Sequence, residues 1–98
     1  MNEHIERFQS QLRAILPVLA ARYHVASLGL FGSYLRGSQR PDSDLDVLVS
    51  FSQIPSLLHF IELENFLTDL LGVKVDLVLR DALKPHIGKQ VLHEMVPI

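Results

Sequence analysis

Residues 44–51 read DLDVLVSF, and this octapeptide gives the clearest structural signal in the chain. Its apolar residues recur at every second position: Leu45, Val47, Val49 and Phe51 alternate with Asp44, Asp46, Leu48 and Ser50. Alternation with a period of two predicts a β-strand that turns one face toward a core. The side chains of Asp44 and Asp46 then project together from the other face, roughly 6.8 Å apart along the strand.

Two further strands are predicted around this one. Val25–Phe31 is short and largely apolar, and Val73–Leu79 alternates, with Asp76 on the face that points away from the core. If the second and third strands are neighbours, the carboxylates of Asp44, Asp46 and Asp76 converge on the uncovered face of one sheet.

Helical spacing and capping residues predict the remaining elements. Four helical segments are expected, at residues 3–21, 33–36, 55–71 and 86–95. Pro17 lacks an N–H and should kink or restart the first helix, and Ser33 is a good N-cap for the short second one. The order of elements predicts an α/β (α+β) fold. We expect a small mixed sheet of about three strands, with helices packed on its apolar face, in one domain of residues 1–98.

Composition excludes several classes of protein. The chain has 98 residues, 48% apolar and 20% charged, which is typical of one globular domain. Its net charge of −2 argues against direct nucleic-acid binding, since proteins that bind nucleic acid through its phosphates carry a surplus of Lys and Arg. The absence of cysteine excludes a disulfide framework and fits a cytoplasmic location. We see no signal peptide, and the apolar runs are shorter than the ~20 residues of a membrane helix.

Three clustered carboxylates have a chemical use. Like charges repel and raise one another's pKa, and a hard divalent cation such as Mg²⁺ relieves this, because it prefers oxygen ligands. The alternative is that each aspartate is a solvated, outward-facing strand residue. Asp44 and Asp46 alone leave the two interpretations equal. The presence of Asp76 favours the metal site. Aspartate is a poor strand former, so a third aspartate at an outward strand position is better explained by a function than by chance.

The dipeptide Gly32-Ser33 follows a predicted strand and opens a helical turn. Its backbone N–H groups and hydroxyl are suited to cradle a phosphate, although such turns are also common without a ligand. Arg36 is a candidate phosphate donor, whereas Arg40 is better explained as a solvated surface charge. Tyr34 either stacks on a base or covers the sheet edge. A phosphate turn facing a carboxylate cluster predicts nucleotidyl transfer with two metal ions, in which Asp76 accepts the proton of the attacking hydroxyl.

Three separated motifs resemble the signature of the polymerase-beta-type nucleotidyltransferase superfamily. They are GSYLRG at 32–37, DSDLDV at 42–47 and VDL at 75–77. Over nearly its whole length the chain more closely resembles the minimal nucleotidyltransferases, the antitoxin-like partners of HEPN-domain toxins. Leu35 departs from the pattern, because a small residue, often alanine, is expected there.

The resemblance implies the nucleotidyltransferase fold and specific site residues. It implies Mg²⁺ bound by three catalytic carboxylates, ATP as the donor, and triphosphate held at the glycine-serine turn. The residues concerned are Asp44, Asp46 and Asp76 for the metal, and Gly32, Ser33 and Arg36 for the nucleotide.

The resemblance also implies a protein partner. Family members are understood to transfer AMP to a tyrosine of the HEPN toxin, a ribonuclease, and so silence it. The chain leaves no room for a further acceptor-binding domain, so the acceptor should come from outside, in a homo- or hetero-oligomer. The alternative is a non-catalytic module that neutralises its toxin by docking. The intact set of three aspartates favours the enzyme, since docking alone has no need of mutually repelling carboxylates.

Overall fold

A four-stranded mixed sheet forms the centre of the computed structural model, which describes residues 3–98. The strands are β1 (Val25–Phe31), β2 (Leu45–Phe51), β3 (Val75–Leu79) and β4 (Val96–Pro97). The helices are α1 (Glu3–Tyr23), α2 (Ser33–Arg36), α3 (Leu57–Leu71) and α4 (Pro85–Glu94), and a 3-10 turn spans Arg80–Ala82. The first two residues of the predicted 1–98 domain lie outside the described residues.

The order of the strands across the sheet is β3-β2-β1-β4. β1 pairs antiparallel with both β2 and β4, whereas β2 and β3 run parallel. Helix α3 makes the crossover between these two parallel strands, as a parallel connection requires. The second and third strands are therefore neighbours, and Asp46 lies directly opposite Asp76.

The predicted α/β class with a mixed sheet is confirmed, but the sheet has four strands and not about three. The additional strand, β4, is only two residues long and ends in Pro97. A two-residue strand is too short to show a period-two pattern, and proline is depleted in strands. No local pattern could therefore have predicted it.

One face of the sheet carries the hydrophobic core. Helix α1 packs on β1, helix α3 packs on β3, and the two helices contact each other. The strands contribute Leu28, Leu30, Leu45, Val47, Val49, Val75 and Leu77 to this core, and the helices contribute Ile5, Phe8, Leu12, Leu19, Leu63, Leu67 and Leu71. No helix within residues 3–98 is long and apolar enough to cross a membrane.

Several local details differ from the sequence prediction. β2 begins at Leu45 and not at Asp44, and β3 begins at Val75 and not at Val73. The helices differ as well. Helix α1 continues through Pro17 instead of restarting there. Leu12 and Leu19, on either side of the proline, are fully buried, and their packing holds both halves in one helix despite the missing N–H. Gly32, not Ser33, is the N-cap of α2, and Ser33 is its first helical residue.

Helix α3 also protects the outer edge of the sheet. The backbone N–H groups of Val75 and Leu77 point away from β2, and side chains of α3 bind both of them. Thr68 Oγ1 accepts from Val75 at 3.0 Å, and Glu64 Oε2 accepts from Leu77 at 2.8 Å. β3 is therefore held in position on both of its edges, by β2 on one and by side chains of α3 on the other.

Candidate active site

The carboxyl groups of Asp46 and Asp76 meet on the face of the sheet opposite the core. Both residues occupy matching positions of the parallel strands β2 and β3, and their side chains are hydrogen-bonded to each other. Asp44 lies one residue before β2 and is close enough to act on Asp46 electrostatically. The structure thus brings two of the three predicted aspartates, Asp46 and Asp76, into contact and leaves Asp44 nearby but outside the pair.

Burial and like charge act together on Asp46. Desolvation is the largest cause that raises the pKa of this carboxyl group, followed by the negative charges of Asp76 and Asp44. The hydrogen bond that protonated Asp46 donates to Asp76 also raises it, and the positive charge of Arg36 lowers it, which leaves the pKa of Asp46 at about 6. A divalent cation at this point would oppose these causes and lower the pKa of Asp46.

Gly32 allows the phosphate turn to lie directly against this carboxylate. Its backbone has φ +85° and ψ −154°, a region that is essentially restricted to glycine. A Cβ atom at this position would overlap Oδ2 of Asp46. Glycine is therefore required here twice, once for its conformation and once for the close approach.

Helix α2 is a single turn anchored to α1. Tyr34 is 8% exposed, and its ring meets that of Phe8 edge-on at 5.8 Å between centroids. This contact with α1 is neither of the two roles considered for Tyr34 from the sequence: the ring fixes α2 on α1. Leu35, the departure from the family pattern, is partly buried against the hydrophobic core.

Arg36 lies at the end of α2 and faces two acidic groups. Its Nη1 atom donates to Oε1 of Glu94, at the end of α4, at 3.1 Å. Its charge also lowers the pKa of Asp46, which places the guanidinium near the carboxylates. Sequence analysis missed Glu94, because no local pattern links residues so far apart in the chain. Arg40 belongs to the loop between α2 and β2, and its backbone N–H donates to Oγ of Ser43 at 2.8 Å.

The donor set suits a hard cation. Carboxylate oxygens are the ligands that Mg²⁺ prefers, and the raised pKa of Asp46 shows that positive charge at this point would be stabilising. Within residues 3–98, however, no three acidic or histidine side chains are gathered closely enough to form a ready metal site. The described geometry is a carboxyl pair that shares a hydrogen bond, with Asp44 at its side.

A cavity of about 290 Å³ lies on the same face, one pleat repeat along β2 from Asp46. Leu48 lines it and lies two positions after Asp46 on β2, so both side chains project from one face of the sheet. The rest of the lining comes from β1, from Val49 of β2, from Arg80 in the 3-10 turn after β3, and from the C-terminal part of the chain: Leu92, Met95 and Pro97. Sequence analysis missed this cavity, since its walls come from elements that meet only in the fold.

Comparisons with known proteins agree on one family. The model of the nucleotidyltransferase domain family matches residues 12–98. The protein adenylyltransferase MntA of Thermococcus cleftensis is 51% identical over 92 residues, which cover 94% of this chain and 93% of the relative.

Two solved structures are similar to this chain. One, described as a candidate minimal nucleotidyltransferase, is 41% identical with a TM-score of 0.78, and the match covers 95% of this chain and 94% of that one. The other is a toxin–antitoxin structure with AMP-PNP, 25% identical with a TM-score of 0.69, where the match covers 98% and 72%.

Proposed function

This chain belongs to the nucleotidyltransferase domain family, and we propose that it transfers AMP from ATP to a tyrosine hydroxyl of a HEPN-type toxin and thereby acts as an antitoxin. The observation that carries the proposal is the contact between Asp46 and Asp76, with Gly32 pressed against it. This arrangement places a carboxylate pair beside a turn suited to phosphate, as nucleotidyl transfer requires.

The proposed reaction is an in-line displacement at the α-phosphorus of ATP. The acceptor oxygen forms a bond to that phosphorus, the bond to the bridging oxygen of the β-phosphate breaks, and pyrophosphate leaves with the electron pair. The proton of the attacking hydroxyl passes to a carboxylate, for which Asp76 is the candidate base, because it is the exposed member of the pair.

The residues around the pair have separate tasks in this proposal. Gly32 and Ser33 hold the triphosphate through backbone N–H groups and a hydroxyl, and Arg36 adds positive charge. Asp44, Asp46 and Asp76 would hold Mg²⁺, and two such ions supply the charge that stabilises the attacking and leaving oxygens. Since the cytoplasm supplies ATP and Mg²⁺, we propose that the reaction takes place there.

An exposed apolar patch supports a protein partner. Ile54, Leu57 and Leu58 are 74%, 74% and 79% exposed, and they follow the end of β2 that lies away from Asp46. Large apolar side chains grouped on a surface mark interaction sites. The similar solved structure with AMP-PNP is itself a toxin–antitoxin complex, which agrees with a toxin as the partner.

The same patch favours a second candidate function, neutralisation by docking alone. Docking through Ile54, Leu57 and Leu58 would need no chemistry at the carboxylates, because the patch lies at the opposite end of β2. The variant Asp76→Asn separates the two functions. It removes a charge from an exposed position while leaving shape and buried area almost unchanged.

The experiment mixes the protein with its HEPN-type partner, ATP and Mg²⁺, and records the intact mass of both chains. We expect wild type to add AMP to the partner, and Asp76→Asn to bind the partner without adding AMP and without neutralising it in cells. Asp69→Asn, which removes an exposed carboxylate of α3, is the matched control and should behave as wild type. Full neutralisation by Asp76→Asn with no increase in the partner's mass would establish docking and overturn the transferase proposal.

A further inference from the structure

The cavity lies further along β2 than the phosphate turn and the carboxylate pair of the proposed site. Along the open face, Gly32 comes first, the carboxylates of Asp46 and Asp76 follow, and Leu48 lies one pleat repeat further on. One repeat is roughly 6.8 Å. Phosphate turn, carboxylate pair and cavity are thus arranged in sequence along the strands.

The stereochemistry of the displacement indicates which end of this row binds the leaving group and which end binds the acceptor. In an in-line reaction the attacking and leaving oxygens lie on opposite sides of the phosphorus. With the leaving pyrophosphate at Gly32 and Ser33, the acceptor approaches from the opposite side, on which Leu48 and the cavity lie. The ribose oxygen of the donor is attached sideways to this axis, so the nucleoside extends away from the line.

We infer that this cavity binds the aromatic ring of the acceptor tyrosine and presents its hydroxyl to Asp76. The inference rests on the proposed function and names the acceptor-binding residues of the same site. It makes the cavity the source of selectivity for tyrosine, because a serine or threonine hydroxyl at the same point would leave the cavity unfilled.

The size and lining of the cavity fit a single ring. Its volume of about 290 Å³ lies at the lower end of the roughly 300–1,000 Å³ of small-molecule sites, which suits one side chain. Leu48, Leu92 and Met95 provide apolar surface, and Arg80 provides a guanidinium that can lie over the face of an aromatic ring. Gly29 lets Met95 lie against the sheet as a wall of the cavity, since a Cβ atom there would overlap the end of the Met95 side chain.

The variant Leu92→Trp tests the inference by filling the cavity. Leu92 is 42% exposed and lies outside the hydrophobic core, so the fold should tolerate the larger side chain. Ile87→Trp is the matched control, because Ile87 lies on the same helix at 48% exposure and does not line the cavity.

The primary measurement is a methyl NMR titration with N-acetyl-L-tyrosinamide in the absence of nucleotide. We expect the methyl signals of Leu48, Leu92 and Met95 to shift in wild type and in Ile87→Trp. N-acetyl-L-serinamide should leave them unchanged, and the Leu48 and Met95 shifts should be lost in Leu92→Trp. Equal binding of the two amides, or shifts of Leu48 and Met95 that persist in Leu92→Trp, would overturn the inference.

Transfer kinetics with N-acetyl-L-tyrosinamide, ATP and Mg²⁺ give the second readout. Leu92→Trp should raise the KM for the amide at least tenfold and leave the KM for ATP unchanged. The reverse result would show that the cavity holds the base of the nucleotide and would refute the acceptor assignment. If wild type binds the amide in the titration but transfers no AMP to either the amide or the partner protein, the proposed function fails while the cavity assignment stands.

Discussion

Alternate residues of β2 lie in two environments that serve different purposes. Leu45, Val47 and Val49 are completely buried under α1 and α3. Asp46, between the first two, lies on the other face with its charge opposed by neighbouring carboxylates. The buried side chains of the core face stabilise the fold. The carboxylates on the opposite, open face repel one another and lower its stability. Substitutions on the two faces should therefore have opposite signs.

The largest effect is expected on the core face. Leu45→Ala removes a fully buried side chain and leaves a cavity, so the free energy of unfolding should fall by about 2–5 kcal/mol. Urea denaturation followed by circular dichroism measures this loss. The neighbouring Asp46→Asn should not lower stability at neutral pH. If both variants were destabilised equally, the contrast between the two faces would be wrong.

The next effect concerns the turn that touches Asp46. Gly32→Ala should cost about 1–3 kcal/mol from backbone strain and also displace the Asp46 carboxylate, abolishing AMP transfer. Gly37→Ala is the control, because Gly37 has φ +73° and a Cβ atom there would meet only open space, and it should cost about 1 kcal/mol with transfer retained. Thermal denaturation and intact-mass assays of both variants measure the difference. Normal transfer by Gly32→Ala would contradict the close contact.

The open face should also make stability depend on pH. Because the pKa of Asp46 is about 6 in the folded chain and 3.8 as its ordinary value, the folded state holds the proton more tightly. Without a divalent cation, the stabilising effect of this proton is complete below pH 3.8 and is lost as the pH rises through 6. The loss should be about 1–2 kcal/mol, less than the full pKa shift implies, because solvent screens a half-buried carboxyl group.

Comparison of wild type with Asp46→Asn isolates this contribution from the other titrating groups. The variant should lack the loss between the ordinary pKa of 3.8 and the raised pKa of about 6. Mg²⁺ should raise the Tm of wild type at neutral pH but not that of the variant. Parallel stability curves for the two proteins across this range would show that Asp46 is not the group responsible.

The smallest effect is expected at the ion pair between Arg36 and Glu94. Both side chains are exposed, so Glu94→Gln should change stability by less than about 0.5 kcal/mol. The variant releases Arg36 toward the phosphates and should strengthen ATP binding by less than about tenfold. Arg36→Gln should weaken it. Isothermal titration with Mg-ATP measures both, and weaker binding by Glu94→Gln would exclude competition between Glu94 and the nucleotide.

The sequence predicted the local parts of the site better than their assembly. Period-two alternation was sufficient to put Asp46 and Asp76 on outward faces, since the pleat depends only on neighbours in the chain. Their contact depended on the pairing of β2 with β3, which the sequence analysis had to state as a condition. The structure shows that pairing in register.

Long-range contacts explain what could not be predicted. The bond from Arg36 to Glu94 and the contact of Met95 with Gly29 join residues far apart in the chain, and no periodic pattern encodes them. Pro17 is the opposite case, in which a local signal is present in the sequence but tertiary packing outweighs it. Its local preference predicts a kink or a restart of the helix, and burial of the flanking leucines keeps the helix continuous.

The side chains of Glu64 and Thr68 that bind the backbone of β3 have a consequence for association. Exposed strand edges recruit additional strands, either in aggregates or from partner peptides that extend the sheet. The edge at β3 has its N–H groups at Val75 and Leu77 already occupied. The edge at β4 offers only two residues, one of them a proline. The border at β3 thus resists β-augmentation, and the protein should recognise other chains there through its side chains and not by adding a strand.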